Sequence, residues 1–144
     1  CFWWERYGVL LAGDMVIHDA SVWVGPPDGD LITFLDQIRR LAALPIQVAA
    51  PSHGAVFAGV KDHLEGLIQR RLKREEEILA LLRQGPATVD DVVDALYEGK
   101  VPDSVLWVAR RTVEGHLQKL VREGRVALSD GDDARYRACG PATP

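Results

Sequence analysis

Apolar positions recur along this chain with two periods, and the change from one to the other marks its elements. Phe2–Glu5 is an aromatic run, Arg6-Tyr7-Gly8 a turn and Val9–Ala12 a second apolar run, which predicts a hairpin ended by Gly13-Asp14. Ser21–Val24 reads as a further β-rich segment, and Pro26-Pro27-Asp28-Gly29-Asp30 as a turn into a helix that Asp28 or Asp30 can cap. In that helix Leu31, Phe34, Leu35, Ile38, Leu41 and Ala42 follow the 3.6-residue period until Pro45 stops it. Gln47–Ala50 is short and apolar enough for a buried strand, and Pro51-Ser52-His53-Gly54 is the loop at its C-terminal end. The helical period returns over Val60–Gln84, with a stripe of Leu64, Leu67, Ile68 and Leu72 continued by Ile78, Leu79 and Leu82. Arg74-Glu75-Glu76-Glu77 reads there as a solvated charge run.

Gly85-Pro86 breaks the long helix and sets the expected domain boundary, 1–85 against 86–144. Beyond it, Thr88 with Asp91 forms a start like a capping box for a short helix of Val89, Val92, Val93 and Leu96. Ser104–Glu123 predicts a longer helix ended by Gly124. Arg125–Leu128, the acidic turn Ser129–Asp133 and Arg135–Ala138 predict a hairpin. Helices followed by a two-stranded hairpin give the order of a winged helix.

Composition narrows the function classes. The chain has 144 residues, a globular mix of apolar and charged positions, and no apolar run of about 18 residues, so a spanning helix is excluded. Its net charge is −4. Residues 86–144 carry 8 basic and 10 acidic side chains, a poor balance for a domain that reads nucleic acid. Two cysteines, Cys1 and Cys139, are too few for a disulfide framework, and a reducing cytoplasm is expected. The opening Cys1-Phe2-Trp3-Trp4 reads as the middle of a buried strand, which leads us to expect the C-terminal part of something longer.

Two short features could carry chemistry. Gly13-Asp14 puts a carboxylate at a strand end, and Ser52-His53-Gly54 puts an imidazole at another, the places where α/β folds set their sites. Each alone is ordinary turn chemistry, and the two together tilt the balance toward a site. His18, four residues after Asp14, can face the same cleft. His63 reads as a solvated first-turn residue, and His116, set among apolar positions, as a packed one. No phosphate-binding glycine loop, paired-cysteine zinc motif or nucleophile elbow is present.

Leu10-Leu11-Ala12-Gly13-Asp14, Pro26-Pro27-Asp28-Gly29-Asp30, Ala50-Pro51-Ser52-His53-Gly54, and Arg70-Arg71 with Arg74-Glu75 in the long helix stand in an order that resembles metallo-β-lactamase-fold hydrolases. The resemblance is to their C-terminal half, in the lactamase-like subgroup with an appended winged helix. It implies an α+β fold: half of an αββα sandwich followed by a winged-helix domain. It implies a metal pair, usually zinc, with Asp14 bridging both ions and His53 a ligand of the second. It also places His18, Ser52 and Arg71 among the substrate contacts. Ser52 stands where relatives carry Gly, and Arg70-Arg71 where they often carry His-Arg. The remaining ligands of such a pair, a His-x-His-x-Asp-His motif and a further His, are not in this chain.

The activity implied is hydrolysis of an ester, thioester or phosphodiester by metal-bound hydroxide, completed by the N-terminal half of the same protein. The expected partners are that half, a small-molecule or acyl substrate and, for the winged helix as a dimer module, a second copy. A different class stays open: a winged-helix nucleic-acid-binding regulator with a non-catalytic lactamase-like domain.

Overall fold

The structure is a computed structural model and describes residues 1–18, 22–129 and 134–140. It divides into two compact units, Cys1–Val22 with Thr33–Leu72, and Trp23–Ile32 with Lys73–Pro144.

The first unit is built on a four-stranded sheet of β1 (Phe2–Trp4), β2 (Val9–Gly13), β3 (Val48–Pro51) and β4 (Phe57–Ala58), neighbours in that order. β1 and β2 are the predicted hairpin, joined by a single 3₁₀ turn and Gly8. β2 and β3 are parallel, which requires the chain to cross over between them, and α1 (Leu31–Ala42) lies in that crossover. β4 returns antiparallel to β3, a two-residue strand too short to show a period. Ser21–Val24 does not become a strand over its described part, Val22–Val24; Ser21 lies outside the described residues.

The register gives the sheet two unlike faces. Trp3, Leu10, Ala49 and Phe57 form one row across it; Leu10 and Ala49 are fully buried and Phe57 nearly so. On the other face Phe2, Trp4 and Leu11 are 62%, 50% and 45% exposed, beside half-buried Val9, Val48 and Ala50. The predicted stripe of α1 is buried from Leu31 through Leu41.

α2 (Val60–Gln84) forms over the predicted residues. Its buried stripe runs Leu64, Leu67, Ile68, then Arg71 and Glu75, then Ile78, Leu79 and Leu82. The expectation of a solvated charge run over 74–77 is corrected here: Glu76 is exposed, but Glu75 lies at 1% exposure, on the inward stripe.

The second unit holds α3 (Val89–Tyr97), α4 (Leu106–Arg122) and the hairpin β5 (Val126–Leu128) with β6 (Tyr136–Ala138), which pair antiparallel. Its core is Ile78, Leu79 and Leu82 of α2, Val92 and Val93 of α3, Ala109, Val113, Leu117 and Leu120 of α4, and Val126 of β5. The capping box is formed: Thr88 Oγ1 accepts from the Asp91 amide at 3.1 Å, and Asp91 Oδ2 from the Thr88 amide at 2.8 Å. Asp130, Asp132 and Asp133 of the acidic turn lie outside the described residues. No helix among the described residues is long and apolar enough to cross a membrane.

Candidate functional site

Parallel strands bring their C-terminal ends to the same edge of a sheet. Here the ends of β2 and β3 are locked in register by Gly13 opposite Pro51, and the Ser52 amide donates to the Gly13 carbonyl at 3.0 Å. Gly13 has φ of +57°, a left-handed conformation that glycine takes without penalty, and the ladder shifts by a residue beside it. The residues just past the two strand ends, Asp14 after β2 and Ser52-His53 after β3, are therefore held side by side. Asp14 Oδ1 and His53 Nε2 stand 3.6 Å apart, with side chains 73% and 76% exposed. Two residues that lie far apart in sequence thus share one open strand-end site.

Ser52 belongs to the same place. It is exposed, and its Oγ lies 3.9 Å from where a β-carbon on Gly13 would stand. His18 stacks with its ring centroid 4.6 Å from Phe57 and 5.8 Å from His63; His63 is half-buried against Phe57 rather than a free first-turn residue. Arg71 is 6% exposed, and its guanidinium donates to the Val22 carbonyl. The structure therefore brings Asp14, Ser52 and His53 together, while Arg71 holds backbone of the connection between β2 and α1.

A carboxylate and an imidazole facing each other in the open are donors that zinc accepts. Two are fewer than the roughly three protein ligands of a catalytic zinc. Among the described residues no group of three or more His, Cys, Asp or Glu side chains could hold a metal ion. The pair fits a metal centre as part of its donor set.

The second unit contains a separate ionic cluster that periodicity did not reveal. Lys119 Nζ lies 2.8 Å from Glu75 Oε1 and 2.8 Å from Glu123 Oε1, and Arg125 joins Glu75 at 3.3 Å and Glu76 at 2.7 Å. His116, fully buried as a packed residue, has Nδ1 3.8 Å from Glu75 Oε1. Burial pushes the Glu75 carboxyl up, but the contacts with His116 and Lys119 outweigh it and hold it below the ordinary carboxylate value. Glu75, Lys119 and His116 are buried in this cluster, and Arg125, Glu123 and Glu76 close it toward the surface. The one clue in the sequence is that Glu75 falls on the inward stripe of α2, and that clue does not identify its partner.

Comparison with known proteins places these features in a wider group. A family described as the β-lactamase associated winged helix domain matches residues 88–135. A β-lactamase-like protein 2 homolog of Drosophila melanogaster is 26% identical over 139 residues, covering 94% of this chain and 46% of its own length. A lactamase-like protein of Arthroderma gypseum is 29% identical, covering 92% and 45%. Among solved structures, a metallo-β-lactamase family protein of Thermus thermophilus superposes with a TM-score of 0.82 at 32% identity, over 96% of this chain and 44% of that one. A β-lactamase domain protein of Burkholderia ambifaria gives 0.85 at 26% identity, over 94% and 42%. The chain thus spans less than half the length of each of these proteins.

Proposed function

Because this chain carries the C-terminal part of a metallo-β-lactamase fold with its associated winged helix, we propose that it contributes Asp14 and His53 to a dizinc hydrolase acting in the cytoplasm on an ester, thioester or phosphodiester. The observation that carries this reading is the 3.6 Å approach of Asp14 and His53 at the ends of two parallel strands. With its two carboxylate oxygens, Asp14 would be one of the residues that hold the metal ions, which would supply Lewis-acid activation of water. His53 can offer Nε2 to one of them. When bound, the ions supply a water acidic enough to attack near neutral pH. Ser52, with a hydroxyl beside the imidazole, can hydrogen-bond a substrate oxygen. The remaining ligands come, in this reading, from an N-terminal half whose sheet covers the exposed Phe2, Trp4 and Leu11 face.

The test is metal analysis and turnover of the complete protein. Asp14→Ala should remove bound zinc and lower hydrolysis by more than about a hundredfold, since even outer partners of a metal ligand are worth 10–100-fold. His53→Ala should lose one equivalent of metal. Turnover and zinc content unchanged in Asp14→Ala would reject the bridging role.

A further inference from the structure

α4 presents two opposite faces: one is packed on the core, and the other is covered at Gly115 while Trp107, Arg111 and Arg122 stay exposed around it. Ala109, Val113, Leu117 and Leu120 face the core of the second unit. Trp107, Arg111, Gly115 and Arg122 recur at the helical period on the other side. In a winged helix that reads nucleic acid, the corresponding face of the long helix enters the groove. Here it carries a segment of the same chain, Trp23–Asp30, which connects β2 to α1 and belongs to the same compact unit as α4.

The contact is backbone on backbone. A β-carbon on Gly115 would stand 2.7 Å from the Val24 carbonyl oxygen, and one on Gly25 would run into the Arg111 carbonyl. Glycine inside a helix costs about 1 kcal/mol relative to alanine, so its place at 115 has a reason: only a hydrogen there lets the segment lie against the helix. Val24 is 7% exposed and Gly25 is buried. The two ends are fastened separately. Trp23 meets Trp107 edge to face at 6.1 Å, and Asp30 pairs with Arg122. Gly29 donates to the Gly25 carbonyl at 2.8 Å and closes the turn between them.

We propose that the winged helix acts as an internal clamp: the outer face of α4 seats the Trp23–Asp30 strap, Gly25 and Gly115 are positioning residues for the connection that follows Asp14, and this face does not read nucleic acid. Its effect on turnover rests on the hydrolase reading. Its physical content does not, because seating of the strap is measured without turnover.

Hydrogen exchange of the complete protein tests it. In Gly115→Ala the amides of the strap should exchange at least about tenfold faster, the factor that 1.4 kcal/mol of lost contact gives, while α3 and β5 keep their protection. Arg122→Asp should loosen the strap severalfold, and the charge-swapped double variant Arg122→Asp with Asp30→Arg should restore it, a rescue that loss of bulk stability would not show. If Gly115→Ala unfolds the whole unit, the charge pair decides alone. Unchanged strap exchange in Arg122→Asp overturns the clamp. So does binding of a mixed-sequence DNA duplex at low salt that weakens when Arg111 is replaced by alanine. Absence of metal-dependent turnover in the unaltered protein would reject the hydrolase reading and leave the exchange result standing.

Discussion

Glu75 shows how one residue inside a charge run takes a role its neighbours do not. Glu76, next in sequence, is exposed and meets Arg125 at the surface, while Glu75 is buried among Lys119, Arg125 and His116. Removing one member of a buried charged network strands the rest, a penalty of about 3–5 kcal/mol. Glu123 still accepts from Lys119, so Glu75→Gln should fall near the lower end, about 3 kcal/mol in denaturant unfolding. The pH dependence follows in sign. The Glu75 carboxyl is held below 4.5 in the folded protein, so its contribution is present in full above that value and is lost as pH falls through the lower native one. Thermal unfolding from neutral pH to pH 3 should therefore show a steeper acid loss in the native protein than in Glu75→Gln; parallel curves would reject the assignment. Asp14 and His53 differ in legibility. Each is visible as a strand-end residue, because strand ends follow from local pattern, but their approach to 3.6 Å depends on β2 and β3 being parallel neighbours.

Elements are legible where their signal is local. α2 starts and stops where its period does, and the Thr88–Asp91 box is complete within four residues. Thr88→Ala should cost about 1 kcal/mol, the usual worth of such a cap, as a lowered urea midpoint with unchanged slope. An unmoved midpoint would show that tertiary packing alone holds the first turn of α3. Elements escape the local pattern where neighbours decide. β4 has two residues and exists through its pairing with β3, and Val22–Val24 has strand-like composition but forms no strand, with Trp23 and Val24 lying in the strap instead. Gly115 sits in the middle of a well-patterned helix, where its only sequence signal is that it weakens the helix it belongs to.

At the scale of the molecule, the first unit has an apolar sheet face left open to solvent. Phe2, Trp4 and Leu11 make it, and under the proposed function a second sheet covers it. In the complete protein Leu11→Asp should then destabilise by about 3 kcal/mol or more, as a charge buried without a partner does. If the face is solvated there, the change stays within about 0.5 kcal/mol, so equilibrium unfolding separates the two. Hydrophobic period, caps and turn residues act over a few positions, and so the helices, the hairpins, the winged-helix order and the strand-end candidates Asp14 and His53 were determined by the sequence alone. Three matters were decided only by the tertiary structure: which carboxylate of a charge run is buried, which face of α4 is covered, and which strand ends meet. Each depends on a partner dozens of residues away, and the free energy that selects it comes from burial and charge pairing that exist only once the chain has folded.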